Sequence, residues 1–224
     1  VEHDKIWAPA SFWTGHRRLA ILGPMTTDDA LLEVLDQARR LGALGPAPVD
    51  DHVRHAQRFL RALADVDGPV LDLGSGGGVP GLVIAASRPD LHLTLLDAQA
   101  RRIAFLDAAI ASLGLGERVH AVHARAEDLA HDPAHRGRYG AVTARSFGPP
   151  AVVAECAVAF LRRSGLLLVS EPPDEPDRWP QEGLDHFGLR ARGATDGIQV
   201  LEASDPCPAT VPRRPGIPAK RPRF

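Results

Sequence analysis

An α/β fold of the doubly wound kind is what this 224-residue sequence predicts. Three observations predict it. The first is a strand, a glycine-rich turn and a helix start run together from Pro69 to Gly81, PVLDLGSGGGVPG. The second is the alternation of short apolar strands with helical stretches after that turn, the mark of βαβ units on a parallel sheet. The third is the unbroken apolar run Leu166 to Val169, the pattern of a strand buried on both faces.

Taken in order, residues 1–25 hold Pro9, Gly15, Gly23 and Pro24 with no sustained period, and are expected to be an irregular extension. Residues 26–66 predict a helical cap. Thr27, Asp28 and Asp29 supply the cap and acidic first turn of one helix, with Leu31, Leu32, Leu35, Ala38 and Leu41 on its apolar face and Gly42 at its end. After the linker Gly45 to Pro48, a second helix carries Val53, Ala56, Phe59, Leu60 and Leu63 at helical spacing. His52 and His55 flank that stripe, but no cysteine or carboxylate cluster completes a metal site.

The main domain is expected over 67–205. Its strands are Val70–Leu73, Leu91–Leu96, Val119–Ala124, Tyr139–Thr143 and Leu166–Val169. Helices are expected from Arg101 to Gly114 and from Pro149 to about Arg163, with Cys156 as a core residue. Leu189–Arg192 and Ile198–Glu202 predict a closing antiparallel pair around Asp196-Gly197. The tail, 206–224, holds five cations (Arg213, Arg214, Lys220, Arg221, Arg223) and no acid, and its prolines predict an extended arm rather than a helix.

Composition narrows the class. Hydrophobic residues make up 44% and charged ones 24%, as in a globular protein. No apolar run approaches the roughly 20 residues a membrane span needs. The segment VEHDKIWAPASFW lacks the basic-then-apolar order of a secretory signal. Two distant cysteines, Cys156 and Cys207, suggest neither a disulfide framework nor a zinc knuckle. A cytoplasmic protein without a metal is expected. A formal charge of −2 excludes a uniformly basic nucleic-acid-coating protein.

The glycine corner at 69–81 predicts a nucleotide site, because glycine lets a ligand approach the main chain closely. A Walker phosphate loop is excluded, since Leu82 and Val83 stand where Lys and Ser/Thr are required. Gly76, Gly78 and Gly81 do satisfy the dinucleotide pattern G-x-G-x-x-G. Charge favours another ligand. Asp72 at the strand end would repel a pyrophosphate and attract the sulfonium and ammonium of S-adenosylmethionine. The plainer role for Asp72 is to cap a nearby backbone N–H. Asp97 ends the second strand 21 positions after Gly76, near the spacing at which an acid reaches a ribose diol, and it also fits an N-cap.

The motifs DLGSGGGVPG, LLDAQARRIAFL from Leu95, RAED from Arg125, VTARSFG from Val142 and the tail PRRPGIPAKRP together resemble one family. It is the small-subunit ribosomal RNA guanine-N7 methyltransferases, the glucose-inhibited division protein B family, of which this chain looks like a divergent member. The resemblance implies a Rossmann-like class I S-adenosylmethionine-dependent methyltransferase fold: a mostly parallel seven-stranded sheet with an N-terminal helical extension. It implies S-adenosylmethionine as cofactor and small-subunit (16S) ribosomal RNA as partner. Gly74, Gly76, Val79 and Asp97 would line the methionine and ribose, joined by Asp72, and Ala126 and Glu127 would line the adenine. Arg145 would stand at the pocket mouth, as the catalytic residue beside cofactor and base, with Phe147 as a stacking platform. The acidic stretch 171–177 stands where the family usually has Lys-Gly, and the family's Asn-rich N-terminal motif and His-x-x-Asp-Ser are missing. These departures motivate a second expectation, a small-molecule substrate. A third is a non-enzymatic dinucleotide-binding module.

Overall fold

The structure, a computed structural model, describes residues 27–172, 178–204 and 207–224. The irregular extension expected over 1–25 lies outside them. Two helices come first, α1 (Thr27–Arg40) and α2 (Val49–Ala62), each opening on acids and ending on arginine as the helix dipole favours. Then strands and helices alternate: β1 (Val70–Leu73), α3 (Gly81–Ser87), β2 (Leu93–Asp97), α4 (Ala100–Ser112), β3 (Val119–His123), α5 (Ala126–Leu129), β4 (Tyr139–Ala144), α6 (Pro150–Val158) and β5 (Leu161–Ser170). The chain closes with α7 (Gln181–Asp185), β6 (Leu189–Thr195), β7 (Ile198–Ala203) and α8 (Ile217–Lys220).

The seven strands form one sheet in the order β3-β2-β1-β4-β5-β7-β6. The first five run parallel; β7 is antiparallel to β5, and β6 to β7. The mostly parallel sheet and the closing antiparallel pair are therefore as expected. Every residue of β1 and β4 is buried, which explains why their sequences are apolar without alternation. One apolar layer unites α1 to α4 around Phe59, Leu82 and Leu106, and the other unites α5 to α7 around Phe160 and Phe187. Chain order reverses at β1, with β2 on one side and β4 on the other. The crevice beyond the carboxyl ends of β1 and β4 is where open α/β sheets bind ligands.

Two expectations change. The sixth helix stops at Val158 instead of reaching Arg163, and β5 already begins at Leu161. Ala151 to Val158 are buried all round, so a helix continuing through Arg162 and Arg163 would bury two guanidinium groups in the same layer. The register irregularity between Tyr139 and Ala141 of β4 absorbs those polar residues instead. The tail is no extended arm. Pro218 lies inside α8, at the helix start where proline is tolerated, and is buried.

Candidate functional site

The corner is built as its sequence predicts: β1 leads into a glycine turn and the turn into α3. The amides of Gly74 and Ser75 donate to the Leu96 carbonyl at 2.8 and 2.9 Å, fastening the turn to the end of β2. Four glycines of the corner, Gly74, Gly77, Gly78 and Gly81, stand where a Cβ would come within 3.0 Å of a neighbour. A Cβ on Gly74, which has φ +74°, would stand 2.7 Å from the Phe147 ring. A Cβ on Gly81 would overlap the Leu95 side chain and stand 2.6 Å from the Asp72 carboxylate. Gly81 thus completes the dinucleotide pattern for a packing reason. Pro80 holds the N-cap position of α3, one residue earlier than the favoured first helical position.

Asp72 has the plainer of its two expected roles. It is 1% exposed, accepts from Thr143 Oγ1 at 2.8 Å and from the Gly81 amide at 3.2 Å, and lines neither cavity beside the turn. Its carboxylate lies beneath the turn, between β4 and the start of α3. Burial pushes its pKa up to about 6, against the opposing pull of Thr143, Ser75, Gly81 and Arg145.

Asp97 stands beside the glycine turn, but the N-cap position of α4 expected of it belongs to Gln99, which has no side-chain cap. The Asp97 Oδ1 accepts from the Gln99 amide at 2.9 Å, and its Oδ2 accepts from the Gly76 amide at 3.0 Å and Arg102 Nη1 at 3.3 Å. It also lines a cavity of about 220 Å³ with Leu96, Ala126, Glu127 and Val152. A second cavity of about 290 Å³ lies between the turn and Leu44-Gly45, bordered by Gly74, Gly76, Val79, Arg102 and Arg145. A third, of about 340 Å³, is bordered by His55, Arg145, Phe147, Ser170, Glu171 and Trp179. The three meet at shared residues: Gly74 borders the first and second, Arg145 the second and third, Phe147 the first and third.

Arg145 follows β4 directly and is held by the helical cap. Its Nη2 donates to His52 Nδ1 at 2.7 Å, and His52 Nε2 lies 3.1 Å from the Gly45 carbonyl. Nε2–H donating to Gly45 leaves Nδ1 as an acceptor, so the contact requires neutral His52. His55 bonds Ser170 Oγ at 2.7 Å. Burial, with the Arg145 and Arg58 guanidiniums nearby, brings its pKa down to about 4. Burial also lowers the Arg145 pKa, which Asp72 opposes. Both histidines are hydrogen-bonded within this network.

A family model described as "rRNA small subunit methyltransferase G" matches residues 49–175. The chain belongs to that family. The ribosomal RNA small subunit methyltransferase G of Prochlorococcus marinus (strain MIT 9313) is 37% identical over 78% of this chain and 72% of its own length. The Rubrobacter xylanophilus protein of the same name is 32% identical over 93% of this chain and 78% of its own. Pyrococcus horikoshii TYW2, solved in complex with MeSAdo, superposes with a TM-score of 0.51 at 16% identity, over 71% of this chain and 62% of that one. A structure titled StiE O-MT gives 0.52 at 13% identity, over 70% and 75%. These last two show likeness of fold, the class I methyltransferase arrangement.

The family match spans every motif behind the sequence resemblance except the tail. Gly74, Gly76, Val79 and Arg145 border one cavity, and Asp97, Ala126 and Glu127 another, next to it. Sequence reasoning missed His52 as the holder of Arg145, and His55 and Trp179 as walls of the third cavity. It also missed Glu155, a carboxylate buried in an apolar helix, which is the one signal in this group visible in the sequence.

Proposed function

We propose that this chain transfers a methyl group from S-adenosylmethionine to N7 of a guanine in small-subunit (16S) ribosomal RNA. The observation that carries it is the convergence of three cavities on Arg145 and Phe147 in a chain of the rRNA small subunit methyltransferase G family. The donor chemistry fits the cofactor. Apolar Leu96, Ala126 and Val152 with two acids, Asp97 and Glu127, suit an adenosine, and Arg102 and Arg145 in the adjoining cavity suit an amino-acid carboxylate. When bound, the cofactor supplies an electrophilic methyl carbon.

The protein's part is alignment. Guanine N7 carries an exposed lone pair, so no general base is required, and positioning contributes up to about 7–11 kcal/mol. The cavity bordered by Phe147 and Trp179 offers aromatic walls for an unstacked base. Exposed Arg214, Lys220, Arg221 and Arg223 supply phosphate contacts on the tail. The electrostatic motive for a small-molecule substrate weakens at Glu171, whose carboxylate accepts from Arg178 at 3.1 Å and Trp179 Nε1 at 3.0 Å. Residues 173–177 of that acidic stretch lie outside the described residues. Ribosomal RNA as partner supports a cytoplasmic location. No helix of the described residues is long and apolar enough to cross a membrane.

The test is 16S RNA from a strain lacking this chain. N7 methylation is expected to be absent and to return with the parent chain but not with Arg145→Ala. Unchanged methylation in the deletion strain rejects the RNA target. Calorimetry with NAD and S-adenosylmethionine separates the dinucleotide-binding alternative.

A further inference from the structure

Helix α6 is apolar and buried along its length, yet it carries Glu155 at 0% exposure. A carboxylate in such a place has to be paired and hydrogen-bonded. Its partner comes from the tail. Arg213 donates to Glu155 through its amide at 2.9 Å, Nε at 2.7 Å and Nη2 at 2.6 Å. Burial would raise the Glu155 pKa, but these bonds outweigh it and hold the group below its ordinary value.

The anchored segment is fixed on a second side too. Arg136 donates to the carbonyls of Val211 at 2.8 Å and Pro208 at 2.7 Å, and Arg213 Nη2 donates onward to the Arg221 carbonyl at 2.8 Å. Between these anchors the chain turns at Gly216, with φ +77°. The Gly216 amide donates to Glu127 Oε1 at 2.9 Å, and Gly216 and Ala219 border the same cavity as Asp97 and Ala126.

Resting on the cofactor reading above, we infer that the C-terminal segment completes the adenosine half of the site. The Gly216 amide fixes the Glu127 carboxylate toward the adenine edge, and buried Glu155 holds the segment in place through Arg213. A carboxylate tied through one oxygen loses its rotational freedom, while its second oxygen keeps lone pairs for a donor. A fixed acceptor favours adenine, whose 6-amino group donates, and rejects a purine with a 6-oxo group, which leaves the acceptor unpaired. Gly216, Arg213 and Glu155 are thus positioning residues for base recognition in the cofactor.

The test measures affinity for S-adenosylhomocysteine and for S-inosylhomocysteine, its 6-oxo analogue, by calorimetry on the full chain. The parent is expected to favour the adenine ligand at least tenfold, and Glu155→Gln to bring that ratio close to one. Gly216→Val is the second variant. Its Cβ meets nothing within 4 Å, so it strains the turn through the positive φ without a clash and decides the matter if Glu155→Gln does not fold. Thr210→Ala, on the same segment but exposed, is expected to keep the parental ratio. A parental ratio in folded Glu155→Gln or Gly216→Val overturns the assignment. A parent that binds neither ligand overturns the cofactor reading itself, and this assignment with it.

Discussion

The ends of β1 and β2 lie side by side and finish alike, in Leu-Asp-Leu and Leu-Leu-Asp, yet their two aspartates have different jobs. Asp72 is turned beneath the glycine corner onto Thr143 and Gly81, while Asp97 reaches across to the Gly76 amide and borders a cavity. Both are at most 4% exposed, so burial does not separate them. Position along the strand does. Asp72 is one residue short of its strand's end, so its side chain stands on a face that α3 covers. Asp97 is the last residue of its strand, level with the mouth of the crevice. In the register of the sheet Asp72 pairs with Leu95, so Asp97 stands two residues further on and on the same face, and that shift decides whether a carboxylate supports a site or lines it.

The strongest way to break the contrast is Gly81→Ala. The added methyl meets the Leu95 side chain and the Asp72 carboxylate, so a loss of about 3 kcal/mol in urea unfolding is expected, the upper range for overpacking. An unchanged midpoint would show that Asp72 is not clamped by α3. Next is Asp97→Ala, expected to weaken S-adenosylhomocysteine binding by about 2 kcal/mol, the scale of a hydrogen bond to a charged group, and to cost about 1 kcal/mol in unfolding, because the Gly76 and Gln99 amides lose their acceptor. Equal losses in binding and stability would erase the distinction between the two acids.

Thr143→Val sharpens the Asp72 side. Thr143 donates to the carboxylate, so its loss raises the Asp72 pKa further and costs about 1.5 kcal/mol above pH 7, but much less at pH 5, where the acid is protonated. The sign follows from burial. A folded pKa of about 6, above the ordinary value of 3.8, means that this group's contribution to stability falls as pH rises from the lower value through the higher. A pH-independent loss would place the proton elsewhere. The smallest effect concerns the ligand. A sulfonium above the turn favours ionised Asp72, so the preference for S-adenosylmethionine over neutral S-adenosylhomocysteine is expected to fall up to about tenfold between pH 7.5 and 5. Asp72→Asn should make that profile flat; a parental profile in the variant would remove Asp72 from cofactor recognition.

Much of this was legible in the chain. The Asp-x-Gly-x-Gly corner, the alternating strands and the Asp196-Gly197 hairpin signal local geometry, and local geometry follows from local residues. The orientation of Asp72 was open, because capping and ligand contact demand the same residue at the same place. His52 and His55 carried no signal for their partners, which lie 93 and 115 residues away. The tail was misjudged from its prolines alone, since nothing near them reveals Glu155, 58 residues earlier.

By itself the sequence determined the sheet, the corner and the family, because each rests on spacing and backbone freedom within a few dozen residues. Only the tertiary structure decided which carboxylate faces the crevice, what holds Arg145, and where the tail goes. Those depend on groups far apart in the chain, whose meeting is set by how the helices pack across the sheet and by the cost of leaving a buried charge unpaired.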